Sequence, residues 1–280
     1  TLRCPDIPAI MLSVLYAFCG YATALQSNTM WIDALYLLPL IIMGLHALVD
    51  EKKTILYTLA LTATLLFNYY IGYMTCLFVF CYFFLLVFAR SRKERHLENE
   101  KAVFFRTLGR IAISSAIAIM MAAVMIIPAY YSLTFGKDTF STPKYEFRSL
   151  FQLLDLFSKL FIASYDTIRP SGLPFLYSGT ITLFLVPFYF LSKKISAREK
   201  AAYLFSLLLF LFFASIKATD LVFHGFQAPN WMNCRYSFVF SFLFLSMSAR
   251  FFAAHDEEES VSPKAILGTG IVLFLFVLSY

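Results

Sequence analysis

Charged side chains are scarce in this chain: Asp, Glu, Lys and Arg make up 14% of its 280 residues, against 60% hydrophobic ones. A water-soluble domain carries roughly 25% charge. The deficit therefore argues against a soluble globular fold, and the mean hydropathy of +0.73 agrees. The net charge of +6 does not restore a nucleic-acid reading, because the basic residues sit in short clusters between apolar runs, as topology signals do. Cysteine chemistry is thin too. Cys19, Cys76 and Cys81 lie inside apolar runs, Cys4 is near the start and Cys234 is in a polar stretch. No CxxC or Cys/His ligand spacing occurs, so neither a metal site nor a disulfide framework is expected, and no cofactor is implied. The apolar runs contain almost no ionisable residue, which removes the relay a proton or ion pump needs at membrane depth. Internal repeats, which a secondary transporter would favour, are also missing. The chain starts at Thr1, without a signal peptide, and stops inside an apolar run, so it is expected to be an excerpt of a longer protein.

What the chain has is apolar surface, with 33 Phe and 17 Tyr. Its apolar runs cover 7–25, 34–49, 54–89, 111–130, 176–191, 202–216, 236–249 and 265–280. A bilayer crossing takes ~20 such residues, somewhat fewer in a bundle. One helix over 54–89 would be roughly 54 Å long, nearly twice the hydrocarbon core. That run is therefore expected to be a hairpin with its tip at 68–72. The expected fold is all-α: one polytopic transmembrane helix bundle over 1–280, with about nine spans. Lys52 and Lys53, the basic residues from Arg90 to Arg110, and those from Lys193 to Lys200 mark the inner side. The tip at 68–72 and a long loop over 132–173 then fall outside. In that loop Thr142-Pro143 is a helix start. Phe147, Leu150, Phe151, Leu154, Phe157 and Phe161 follow at helical spacing, with Arg148, Gln152, Asp155 and Lys159 opposite. This predicts an amphipathic helix over about 143–163, either in the outer interface or packed over the bundle's outer mouth.

Polar residues gather at the outer ends of the spans. The densest group is 224–237, which holds a His, a Gln, two Asn, a Trp and an Arg around Pro229. Donors, acceptors, an aromatic face and a permanent cation at a helix mouth suit a polar, anionic ligand at a membrane surface. Arg235 is the first candidate for that anion, joined by His224, Asn230, Trp231, Trp31, Asn68, Tyr69, Lys144 and Arg148 as candidate substrate contacts. Asp33 and Asp166 are the carboxylates among these outer clusters and the candidate catalytic residues. Plainer readings stand beside these: an ordinary loop with an interfacial Trp and a snorkelling Arg, Asp33 as a helix N-cap, and Tyr69 as an interfacial belt residue.

Four motifs occur in order: Met30-Trp-Ile-Asp33, Asn68-Tyr-Tyr-Ile-Gly-Tyr-Met74, Gly172-Leu-Pro-Phe-Leu-Tyr-Ser-Gly179, and Pro229-Asn-Trp with Arg235-Tyr-Ser-Phe238. Together they resemble the YfhO family of bacterial membrane proteins, over essentially the whole chain. That family is similar to the GT-C glycosyltransferases. The resemblance implies a multi-pass protein of the bacterial cell membrane with its functional loops on the outer face. It also implies a polyprenyl-phosphate sugar donor and a cell-surface polymer acceptor such as teichoic acid. The expected partners are thus membrane lipid, donor and acceptor, with no nucleic acid. The sequence departs from the GT-C pattern in one respect. Those enzymes carry a catalytic Asp in their first outer loop, and the outer loop at 26–33 would be a later one, so Asp33 is not equated with that base. A transporter or flippase, or a non-enzymatic protein of envelope assembly, is the alternative.

Overall fold

A computed structural model describes residues 4–89, 100–135, 145–164, 172–227, 229, 233–255 and 262–279. Among these the fold is helical, with no strand and a single isolated β-bridge. The N-terminal third holds α1 (Asp6–Ala17), α2 (Gly20–Ala24), α3 (Thr29–Glu51), α4 (Ile55–Phe67) and α5 (Tyr69–Ala89). Then come α6 (Glu100–Met121), α7 (Ala123–Phe135), α8 (Thr182–Leu191), α9 (Ala197–Ser215), α10 (Lys217–Phe223), α11 (Phe238–Ala254) and α12 (Pro263–Ser279). Four stretches are long and apolar enough to cross a membrane alone: Asp6–Ala24, Thr29–Glu51, Tyr69–Ala89 and Lys101–Met121. Several of the nine expected spans appear as shorter apolar helices, Ile55–Phe67 and Thr182–Leu191 among them.

The outer surface supports a lipid environment. Ile7, Ile55, Phe105, Val124, Ile127, Leu267 and Phe274 are all exposed, a density of apolar side chains that water does not tolerate. Without water, backbone and hydroxyl groups must find partners inside the protein. Thr58, Thr62, Thr64, Thr75, Ser206 and Ser248 accordingly donate to the carbonyl four residues back in their own helices. Pro39 lies inside α3 and has no N–H for the Leu35 carbonyl. The Tyr16 hydroxyl of α1 donates to that carbonyl at 2.9 Å instead. One missing hydrogen bond thus becomes an interhelical one.

The expected hairpin in 54–89 is present in the backbone. Asn68 alone separates α4 from α5, in extended conformation (φ −152°, ψ 99°). Its side-chain oxygen accepts from the N–H groups of Tyr70 and Ile71 at 3.0 Å each, which caps α5. The reversal is tight. A Cβ on Gly72 would lie 3.2 Å from the Leu65 Cα, a contact a continuous helix could not make across seven residues.

Other expectations are corrected. The run 7–25 is broken after Ala17, and Gly20 N–H donates to the Tyr177 carbonyl at 2.7 Å beside the break. Residues 101–110, expected as inner loop, are the first turns of α6. Asp33 does not cap α3, because that helix already begins at Thr29. The amphipathic α-helix over 143–163 does not form among the described residues. Instead, 146–150 runs extended along the joint between α9 and α10: Leu150 N–H donates to the Ser215 carbonyl at 2.7 Å and Lys217 N–H to the Arg148 carbonyl at 3.0 Å. A 3₁₀-helix, Leu153–Leu160, follows. Helical spacing was there, but the broken joint at Ile216 offers backbone groups that need partners, and pairing with them outcompetes an isolated helix. Phe147 and Leu154 are exposed rather than packed on the bundle.

Candidate functional site

Two polar layers cap the bundle. At one end Glu199 receives a bidentate pair from Arg250, Nε at 2.6 Å and Nη2 at 2.9 Å, while Arg198 lies over the Phe88 ring of α5. At the other end of α5, Tyr70 lies under Arg235. The eighteen positions from Tyr70 to Phe88 span ~27 Å of helix, close to the thickness of a hydrocarbon core.

The Arg235 end is where the candidates meet. The Arg235 guanidinium sits 4.8 Å from the ring centroid of Trp31 and 5.3 Å from that of Tyr70. Trp31 arrives on the first turns of α3 and Tyr70 on the first turn of α5. They are held in register because the Asn68 amide donates to the Met30 carbonyl at 2.9 Å. A planar guanidinium between two aromatic faces is oriented as well as attracted. Asn68 serves here by its cap and its bond to Met30, so its side chain positions the two rings.

Beneath lies a group the sequence reading missed. Asp220 on α10 is buried, at 3% exposure. Tyr236 donates to its Oδ1 at 2.8 Å, and His224 Nδ1 lies 3.3 Å from Oδ2 and 2.9 Å from the Asp220 carbonyl. The Tyr236 ring stacks on Phe223 at 4.3 Å, and Tyr73 donates to the Val222 carbonyl at 2.9 Å, tying α10 to α5. His224 is 1% exposed and packs against Tyr70, 6.4 Å between ring centroids. The signal was the Asp–His pair four apart, which puts both side chains on one helical face. It was passed over because Asp220 falls just before the polar stretch.

Several buried polar atoms at this end have no hydrogen-bond partner among the described residues: His224 Nε2 and the hydroxyls of Tyr21 and Ser237. Tyr21 packs edge-on against Phe238 at 5.2 Å and against Phe175 at 6.4 Å. Each such atom costs about 1–3 kcal/mol when left unpaired. Their concentration beside an arginine suits a site built for a polar ligand.

Not every candidate joins. Tyr69 is half-buried beside Tyr70, which is the ring that reaches Arg235. Asp33 is half-buried on α3, two residues beyond Trp31. Arg148 is mostly exposed and faces Glu146 at 3.9 Å, while Glu146 also accepts from Lys217 at 3.1 Å. Lys144, Asp166, Asn230 and Trp231 lie outside the described residues. No cluster of metal-ligating side chains occurs among the residues described.

The four motifs therefore converge. Trp31, Asn68 with Tyr70, and Arg235 with Tyr236 share one end of the bundle, and 172–179 reaches it through Phe175 and Tyr21. No curated protein and no solved structure matches the chain significantly. A family model described as bacterial membrane protein YfhO matches residues 3–280. With nearly the whole chain matched, and its motifs gathered at one end of an apolar helical bundle, the chain belongs to the YfhO family of bacterial membrane proteins.

Proposed function

We propose that the protein is a membrane glycosyltransferase of the GT-C kind, moving a sugar from a polyprenyl phosphate to a cell-surface polymer such as teichoic acid at the outer membrane face. The observation that supports this most is the Arg235 guanidinium held between Trp31 and Tyr70 at the end of a lipid-facing bundle. A polyprenyl tail lies along the exposed apolar helices, which brings its phosphate to the polar end. There Arg235 stabilises the phosphate as it leaves, the step at which its negative charge grows. The same rings present faces on which a sugar can stack.

A transporter of the same lipid-linked sugar draws support from the interrupted helices, α1 into α2 and α9 into α10. The two readings part on the product. Arg235→Lys in the intact protein keeps the charge and loses the fork. It should leave expression and insertion normal and lower sugar transfer to the polymer at least ~10-fold, about 1.4 kcal/mol of transition-state stabilisation. Wild-type transfer in that variant would reduce Arg235 to a membrane anchor. Movement of the donor across vesicles, with no new glycosidic bond on any polymer, would favour the transporter.

A further inference from the structure

We infer that His224 is the general base of the transfer step and that Asp220 is its positioning residue. This deepens the glycosyltransferase reading above and rests on it. Both acceptors facing His224 Nδ1, the Asp220 carboxylate and the Asp220 carbonyl, are oxygens. Nδ1 therefore carries the proton in the neutral ring, and Nε2 presents its lone pair. That atom is buried, with no hydrogen-bond partner among the described residues.

A purely structural role leaves this unexplained. The helix end is served by Nδ1 alone, and burying an unmatched acceptor costs about 1–3 kcal/mol. What fits Nε2 is an O–H group brought from outside, and the acceptor polymer of a sugar transfer supplies one. Position agrees with chemistry. The Tyr70 ring packs against His224 and also lies under the Arg235 guanidinium, so one side chain borders both the base and the cation for the leaving phosphate. The carboxylate behind the imidazole is fixed in turn, because Tyr236 donates to its other oxygen. The ionisable groups around the imidazole are thus Asp220, Tyr236, Tyr70 and, beyond Tyr70, Arg235. Lys217, one turn before Asp220, is turned towards Glu146.

The step balances as follows. The acceptor oxygen forms a bond to the anomeric carbon of the sugar as its proton passes to His224 Nε2. The bond from that carbon to the phosphate oxygen breaks, and its electron pair leaves with the polyprenyl phosphate beside Arg235. The imidazolium is stabilised by Asp220 until water removes the proton. The Asp220 oxygens facing Nδ1 hold the ring in the tautomer that presents Nε2.

The test uses the intact protein in lipid nanodiscs, with synthetic polyprenyl-phosphate hexoses as donors and poly(glycerol phosphate) as acceptor. Rates are measured for wild type, His224→Gln, Asp220→Asn and Asp220→Glu, and binding of polyprenyl phosphate alone reports folding. His224→Gln should lower kcat at least ~100-fold, the scale of general-base catalysis, with donor KM and polyprenyl-phosphate binding within about twofold of wild type. Asp220→Asn should lower kcat by a smaller factor than His224→Gln with donor KM near that of wild type, and Asp220→Glu should keep more of the rate than Asp220→Asn. Added imidazole should restore part of the activity of His224→Ala. A near-normal rate in His224→Gln overturns the base assignment while leaving the transferase standing. So does a rate loss accompanied by loss of polyprenyl-phosphate binding and no imidazole rescue, which marks a structural His224. Absence of transfer by the wild type removes the transferase reading, and the base assignment with it.

Discussion

Gly44 is where α3 meets α4 backbone to backbone, and Gly44→Ala asks how rigidly those two helices hold the site. A Cβ at Gly44 would stand 2.4 Å from the Tyr57 amide nitrogen, 2.6 Å from its Cα and 3.0 Å from the Leu56 carbonyl carbon. Ordinary contacts between such atoms lie near ~3.5–4.0 Å, so the helices must part by roughly 1 Å. No flexible side chain is there to yield. Overpacking costs typically 1–3 kcal/mol, and a backbone obstacle belongs at the top of that range, about 3 kcal/mol. The effect should reach the site, because α3 carries Trp31 and the α4–α5 joint carries Asn68 and Tyr70. The assay is thermal unfolding in detergent together with polyprenyl-phosphate binding, and Gly268→Ala is the control. Gly268 on α12 has nothing within 4 Å of its added methyl, so that change should be neutral or slightly stabilising in a helix. Gly44→Ala should lower the unfolding midpoint by several degrees and weaken binding. A midpoint within about 1 °C of wild type would refute the close approach as a constraint.

Glu199→Gln should destabilise the bundle by about 2 kcal/mol. Losing one partner of a buried pair costs 3–5 kcal/mol, and the value is discounted here because the Arg250 side chain is 33% exposed. Replacing Arg250 by Met in the same background should recover part of that loss, and a double-mutant cycle with no coupling would contradict the pair's role. Orientation is tested by single cysteines in a cysteine-free background. An impermeant thiol reagent should label Gln26→Cys in intact cells and Lys53→Cys only after lysis. The reverse pattern would put the Arg235 end in the cytoplasm.

The hairpin at Asn68 was legible because length forces it: a single helix over 54–89 overshoots any bilayer, and Asn is a residue that caps a new helix readily. The clustering of polar residues at one end was legible for a related reason, since each cluster flanked an apolar run. The amphipathic helix was misread because periodicity reports only what a segment could do alone. It cannot report that Ser215, Ile216 and Lys217 break helical pairing elsewhere and offer hydrogen bonds to 146–150. Asp220 and Glu199 were missed for the opposite reason. Each is a single carboxylate beside a long apolar run, and in one dimension it reads as loop polarity.

Composition by itself determined that this chain lives among lipid tails as helices, because too little charge and too much Phe and Tyr leave no other solvent for its surface. Motif order by itself pointed to the family. Which polar groups face each other was decided by tertiary structure alone. Arg235 finds Trp31 and Tyr70 across two helix starts joined by the Asn68 amide, and Asp220 finds Tyr236 across a loop. Such pairings depend on where helices stop and how closely they pack: Asn68 and Ile216 set stops, while Pro39 and Gly44 set an interhelical hydrogen bond and a close approach that no linear pattern displays.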